Sequence, residues 1–464
     1  MFVGDFCFFE MDIPCRQDVS IGLRSLFGGS FPVIRVPPPF WIHLAGFDVK
    51  SKNSHHHSSV RAVLVSLVGG DCKSPKSKKY PSIPVVMNER RSDDSLSFLP
   101  PLRSSLKHLR ENKTLRMDAL DFRSDTLTKP NDDMRRAMAS AVVGDDVFGE
   151  DPTVQQVEAH VASLSGKEMG LFVPSGTMGN LLAVLAHCDH RMSEVIAGDK
   201  AHQILYEVGN LSGVGGIHTR QIPTQEDGTL PLALIEAAIR RPDSHVPHTR
   251  AVLLENTHNL CGGRVLPVAY CEQVRQLCHS RGLALHCDGA RLWNAAVAQG
   301  ASLKDVAKPF DTISLCLSKG LGAPLGSIVV GPAKFIRTCR HLRKMLGGGM
   351  RQVGIVAAAG LYAVNTMYPR LKEDHVMAST MGTILSRGGV AVLKVESNIV
   401  IWRVPGSQAD AVATACKAQG ILIISMGPGL CRAIPHFGNS LADAERAATV
   451  IVGVMGKLLK GSNL

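Results

Sequence analysis

The chain has 464 residues, with 51 Lys and Arg against 40 Asp and Glu, a formal charge of +11, 45% hydrophobic residues and 5% aromatic ones. That length and apolar fraction suffice for a large buried core and more than one domain, which excludes wholesale disorder and a small cross-linked scaffold. No run approaches the roughly 18–20 uninterrupted apolar residues of a spanning helix, so no membrane-embedded protein is expected.

Residues 1–117 carry most of the basic excess, with 17 Lys and Arg against 10 Asp and Glu. They include PPPF (37–40), SHHHSS (54–59), KSPKSKK (73–79) and ERRSDDS (89–95) and show no sustained period of 2 or 3.6. The segment reads as a low-complexity, disordered extension. Its start, MFVGDFCFFEMD, has acids where a transit helix avoids them and lacks the basic region of a secretory signal, so a cytoplasmic location is expected and a mitochondrial one is unsupported. The histidines at 55–57 have no nearby Cys or acid pair to complete a ligand set, and no metal is expected. None of the twelve cysteines forms a CxxC pair, and Cys188, Cys271, Cys278, Cys287 and Cys316 fall inside apolar patterns. They read as free thiols in a reducing compartment. With few aromatics and no recognition module, nucleic acid is not an expected partner.

From Asp118 the pattern changes. Helix-like segments at 132–143, 152–165, 268–281 and 333–345 alternate with short apolar runs at 171–173, 194–197, 251–255, 283–288, 312–318 and 327–331. This alternation predicts an α/β fold with a mostly parallel sheet under helices, over residues 118–374. A helical Gly/Ala-rich stretch near 350–365 leads to a smaller α+β domain over 375–464, with strands near 398–404, 421–425 and 431–435 and a helix over 441–459.

Three features lie at predicted strand ends, where chemistry gathers in such sheets. In FVPSGTMGN (172–180) a strand runs into Ser175-Gly176-Thr177 and a helix, the makings of a phosphate cup or simply of an ordinary helix cap. In LALHCDGARLWNA (283–295) the strand ends on Asp288, a carboxylate that needs a protonated or cationic partner, which Arg291 could itself supply. In TISLCLSKGLGAPLGS (312–327) Lys319 follows a buried strand among glycines, placed to lose hydration and become nucleophilic. Phosphate cup, acid and amine together match what pyridoxal phosphate requires. Neither GxxxxGK[ST] nor a GxGxxG after a strand is present to favour a nucleotide.

The segments DFRSDTLTKP (121–130), LFVPSGTMGN, AHQILYEVGN (201–210), ENTHNLCGGRVLP (255–267), HCDGARLWNA, LSKGLGAPLGS and LGGGMRQVG (346–354) closely resemble the low-specificity L-threonine aldolases, from about Asp121 to the C-terminus. The resemblance implies the pyridoxal-phosphate-dependent transferase fold, fold type I. By motif it implies Lys319 as the Schiff-base lysine, Asp288 on the pyridine nitrogen, Gly176 and Thr177 on the phosphate, and His202 stacked on the ring. Arg291 would lie in the cofactor site, and Ser124, Arg291 and Arg432 would grip the substrate carboxylate. His258 would lie near the substrate hydroxyl, with His202 and His258 as the two candidate bases.

The reaction implied is retro-aldol cleavage of threonine or allo-threonine to glycine and acetaldehyde. The alternative is another reaction of the same scaffold, such as β-elimination or hydroxymethyl transfer. A homotetramer is also implied. HLRKMLGGGMRQ (341–352) would contribute to a neighbouring subunit, with Arg343, Lys344 and Arg351 either on the phosphate or on a solvated helix face. In this family the last arginine is usually followed by a Val-Thr-His type sequence, whereas Arg432 is followed by Ala433-Ile434-Pro435-His436. AIRRPDSHVPHTRA (238–251) reads as a modestly elongated surface loop.

Overall fold

The structure is a computed structural model describing residues 119–461 except Pro428, together with the backbone of short strands within residues 10–87. The chain divides into two units, Met1–Lys113 and Thr114–Leu464. In the first, the longest pairing is antiparallel, Phe40–Lys50 with Ser59–Gly69. The expectation of a low-complexity extension over 1–117 otherwise lies outside the described residues.

The second unit is built on a seven-stranded sheet: β1 (Met169–Val173), β2 (Ser193–Gly198), β3 (His218–Ile222), β4 (His248–Glu255), β5 (Ala284–Gly289), β6 (Thr312–Cys316) and β7 (Ser327–Gly331). Their spatial order is β3-β2-β4-β5-β6-β7-β1, parallel throughout except that β7 runs against both neighbours. β2, β6 and β7 are buried at every position, as expected for continuous apolar strands covered by helices on both faces. Six of the seven strands lie where the sequence predicts them. β3, HTRQI, is a sheet-edge strand with a mostly solvated face, so it lacks the apolar run that marks the others.

Three helices precede or cover this sheet at the site: α1 (Asp132–Ala139), α2 (Pro152–Ser165) and α3 (Gly176–His187). α2 has the predicted bounds because its ends are chemically explicit. Asp151 accepts from Thr153 N and Val154 N, Pro152 opens the first turn, and Gly166 closes the helix at φ 66°. α1 stops at Ala139, four residues before its predicted end. There Gly144 packs against the Glu150 carbonyl, where a Cβ would lie 2.3 Å from the oxygen, and its N–H donates to Asp151.

A second core belongs to the smaller C-terminal α+β part, formed by β8 (Val400–Arg403), β9 (Leu430–Ala433) and the helices around them. Two connections tie it to the start of the unit. The short strand Leu120–Asp121 pairs with Ile421–Leu422, and Phe122 is buried in this second core. The long helix α4 (Leu371–Arg387) begins with Leu371 in the sheet-domain core and continues with Met377, Ala378, Met381 and Leu385 in the other. No helix among the described residues is long and apolar enough to cross a membrane.

Candidate active site

The carboxyl ends of β1, β2, β4, β5 and β6 lead to Ser175-Gly176-Thr177, His202, Glu255, Asp288 and Lys319 respectively. Parallel pairing puts Glu255 directly opposite Asp288, and Asp288 opposite Ser314. The sequence-predicted acid, amine, imidazole and helix start therefore meet on one edge of one sheet.

Asp288 is buried, with Oδ1 accepting from Ala290 N at 3.0 Å and Oδ2 from Asn180 Nδ2 at 3.0 Å. Burial first, then the nearby Glu255 and Glu207 carboxylates, push its pKa up to about 6 against the attraction of Lys319 and His202. Lys319 is half-buried in the Gly-rich loop after β6, and its carbonyl accepts from Thr128 Oγ1 at 2.8 Å and from Gly322 N at 2.9 Å. Gly322 sits at φ +79°, with Phe437 against the face where a side chain would project.

His202 is held at both its backbone and its ring. Its N–H donates to Glu255 Oε2 at 2.7 Å, and Nδ1 lies 3.0 Å from Glu207 Oε1. The bond to Glu207, a buried carboxylate, raises the imidazole pKa despite partial burial. Glu255 is fully buried, yet its pKa is lowered: burial opposes this, and the His258 charge and the N–H groups of Asn259 and His202 overcome it. His258 is buried, with its backbone bridged to Arg264 and its Nδ1 without a hydrogen-bond partner among the described residues.

At the start of α3, Ser175 Oγ accepts from Met178 N at 3.2 Å, and Gly179 N is taken by the Ser175 carbonyl at 3.0 Å. The ordinary cap is therefore present, and the N–H groups of Gly176 and Thr177 stand ahead of it at the positive end of a three-turn helix. Gly176 passes so close to β6 that a Cβ would lie 2.7 Å from Cys316 Sγ.

Arg291 and Arg432 form a cationic pair at the other side. Arg291 is buried and donates from Nε and Nη2 to Asp125 at 2.8 and 2.7 Å, and Asn398 Nδ2 adds a third bond to Asp125 at 3.0 Å. Burial alone would raise the Asp125 pKa, but Arg291 holds it well below the usual carboxylate range. The simplest partner of Arg291 is thus Asp125 and not Asp288. Arg432, on β9, donates to Asn259 Oδ1 at 2.9 Å and to the Arg123 carbonyl at 3.2 Å. Burial, and after it the proximity of Arg291, bring its pKa down to about 10, and its Nε has no partner among the described residues. Two guanidiniums and the one carboxylate paired with Arg291 leave a net positive site suited to an anion. Ser124, which caps the turn Asp125–Leu127 by accepting from Thr126 N at 3.2 Å, leads directly into it.

Arg343 does not lie on a solvated helix face. It is buried on the inward face of its helix, donating to Asp146 at 2.5 Å and to the Phe172 carbonyl at 2.6 Å. Arg351 pairs with Asp145 at 2.8 Å, and Lys344 is exposed. Asp125, Asn180, Glu207 and Glu255 are site residues that sequence reasoning missed. Glu255 was available on the same criterion as Asp288, an acid closing an apolar strand. The other three become visible only when separate segments are brought together.

A family model described as beta-eliminating lyase matches residues 121–405. The low-specificity L-threonine aldolase 1 of Arabidopsis thaliana is 44% identical over 337 residues, covering 71% of this chain and 94% of that protein. The low specificity L-threonine aldolase of Escherichia coli K12 is 45% identical over 304 residues, 66% of this chain and 90% of that one. In the solved structures, the threonine aldolase of Leishmania major superposes with a TM-score of 0.63 at 19% identity, covering 72% of this chain and 99% of that one. The last likeness speaks for the fold, which is the fold type I arrangement expected from the motifs. With the family match spanning most of the sheet unit and these relatives covered almost end to end, the chain belongs to the low-specificity L-threonine aldolases, within the beta-eliminating lyase family.

Proposed function

We propose that the protein binds pyridoxal 5'-phosphate and cleaves L-threonine and L-allo-threonine between Cα and Cβ, giving glycine and acetaldehyde. The observation that carries this reading is the meeting of Lys319, Asp288 and His202 at the carboxyl ends of β6, β5 and β2, on one edge of the sheet, beside the Arg291–Arg432 pair. The residues fit the cofactor on their own chemistry. A carboxyl with a pKa near 6 is ionised at neutral pH and can hold the proton of a pyridinium. The glycine start of α3 lets a phosphate approach the free N–H groups of Gly176 and Thr177. Bound there, the cofactor supplies a sink for the electron pair released as the Cα–Cβ bond breaks.

The chain's own groups supply the rest. Lys319 Nζ is the amine that would hold the cofactor and yield its place to the substrate amine. Arg291, Arg432 and Ser124 hold the substrate carboxylate, and in doing so fix which bond at Cα stands ready to break. We assign His202 Nε2 as acceptor of the β-hydroxyl proton. Glu207 occupies Nδ1 and makes the ring a stronger base, whereas His258 is more deeply buried. The proton taken from oxygen leaves the aldehyde neutral, and a proton delivered to Cα completes glycine.

The test is product analysis on the purified protein loaded with pyridoxal phosphate. Acetaldehyde and glycine from allo-threonine support the aldol reading. Oxobutyrate and ammonia would instead place the enzyme among β-eliminating lyases of other specificity, and hydroxymethyl transfer would be seen with serine. Separate replacement of His202 and His258 decides the base. A homotetramer belongs to the same proposal, supported by exposed apolar side chains such as Phe148, at 75% exposure, and Val208, at 99%. Sedimentation of the loaded protein tests it. A cytoplasmic location is supported by the free, buried thiols of the described cysteines.

A further inference from the structure

Behind Asp288 lies a chain of buried polar groups that the reaction above does not use. Asn180, on α3, donates from Nδ2 both to Asp288 Oδ2 at 3.0 Å and to Glu207 Oε1 at 2.8 Å. Its Oδ1 faces His286 Nε2 at 3.4 Å, the longest link. His286 Nδ1 lies 2.9 Å from Thr312 Oγ1, and the same hydroxyl lies 2.8 Å from His187 Nε2. His286 and Thr312 are register partners on β5 and β6, and Asn180 and His187 lie seven residues apart on one face of α3. The chain therefore leaves helix α3 near its start, crosses two strands and returns to the helix at its last residue.

The donor and acceptor inventory gives this chain one direction. The two carboxylates accept, so the Asn180 amide nitrogen must face them and its oxygen must face His286. His286 Nε2 therefore carries hydrogen. Burial lowers the His286 pKa to about 3 and that of His187 to about 4, so both rings are neutral near pH 7. His286 Nδ1 then accepts from the Thr312 hydroxyl, whose oxygen accepts from His187 Nε2–H. Each link excludes the flipped arrangement of the next.

We infer that His187, Thr312, His286 and Asn180 form a one-way hydrogen-bond chain that orients the Asn180 amide toward Asp288 and Glu207 together, making these four residues positioning residues for the acid and the imidazole of the site. One NH₂ group serves two carboxylates whose nearest oxygens, with His202, lie within 4.8 Å of one another. The amide thereby favours the ionised form of Asp288 against the repulsion of Glu207 and Glu255, acting in the same direction as Lys319 and His202. The chain also pins both ends of the helix whose first residues form the anion cup, coupling the cup to the acid. This inference rests on the cofactor reading above.

Two measurements test it. In cofactor-free protein, ¹⁵N-histidine NMR, assigned with a His286→Asn variant, should show His286 neutral and hydrogenated on Nε2 down to about pH 5; an Nδ1–H form, or a ring charged at pH 6, overturns the direction of the chain. In the loaded protein, Asn180→Leu should move the acid-side pH midpoint of the cofactor absorbance change upward by about one unit, the size expected for losing one hydrogen bond to a charged group. Thr312→Val should move it the same way by less, and Thr312→Ser should restore it. A lowered melting temperature in Asn180→Leu and Thr312→Val with the midpoint unmoved would reduce the chain to a structural brace and overturn the inference. If wild type binds no pyridoxal phosphate, the cofactor reading fails first, and the NMR result still decides the hydrogen-bond direction.

Discussion

Asp288 and Glu255 face each other across two parallel strands, yet burial and neighbours push them in opposite directions. Glu255 collects two backbone N–H groups and the charge of His258, while Asp288 has one backbone N–H, a shared amide and two acidic neighbours. The first is a structural anion that fixes the His202 backbone; the second keeps capacity for a further cation. Glu207 makes a separate prediction. It raises the His202 pKa, and a base works only when neutral, so activity should fall as pH drops through that raised value. Glu207→Gln removes the stabilisation of the imidazolium, and the acid limb of kcat/KM should move to lower pH, read from a pH–rate profile. An unmoved or upward-moving limb would remove His202 as the base. Arg432 offers a second test at this scale. Arg432→Lys replaces a two-pronged contact with a point charge and should raise KM for threonine about tenfold or more with less effect on kcat; steady-state kinetics at fixed cofactor checks this.

Elements differ in how plainly the sequence announces them. β2, β6 and α2 have uniform apolar runs or explicit caps, and their positions follow directly from the pattern. α4 does not, because its apolar residues divide between two cores and its start follows the irregular helical turns Ala363–Met367 and Tyr368–Arg370. The lysine, the acid and the helix start were legible as strand ends in single segments. Asp125 as the partner of Arg291, and the Asn180–Glu207 contact, were not, because each joins segments far apart in the chain.

Two elements carry predictions of their own. The start of α3 fits against β6 only with glycine at 176, so Gly176→Val should weaken pyridoxal phosphate binding by about tenfold, equivalent to roughly 1.4 kcal/mol, measured by equilibrium dialysis. In α4, Asp374 is buried with neither carboxylate oxygen hydrogen-bonded among the described residues. Burial, then Asp125 and Glu373, push its pKa from 3.8 up to about 8. Since the folded chain binds this proton more tightly than the unfolded chain, stability is lost as pH rises from about 4 to about 8. Asp374→Asn should therefore stabilise the protein at pH 8 by about 1–3 kcal/mol, with the gain disappearing near pH 4; thermal melts across that range test the sign.

At the scale of the whole molecule, the basic excess and the catalytic machinery separate. Residues 1–117 hold 17 Lys and Arg against 10 Asp and Glu, whereas the family match begins at residue 121 and the second compact unit at Thr114. Deleting residues 1–113 should leave cofactor binding and turnover within about twofold, because every site residue named above lies beyond residue 113. Any affinity for polyanions should fall with the deletion.

Lys319 is proposed to serve a pyridoxal-phosphate enzyme that splits threonine at Cα–Cβ. Comparison of wild type and Lys319→Ala in cofactor absorbance and acetaldehyde release tests it most directly. The variant is expected to lose both the characteristic visible band of the bound cofactor and turnover while keeping its fold. A Lys319→Ala protein that still turns over threonine at the wild-type rate would contradict it.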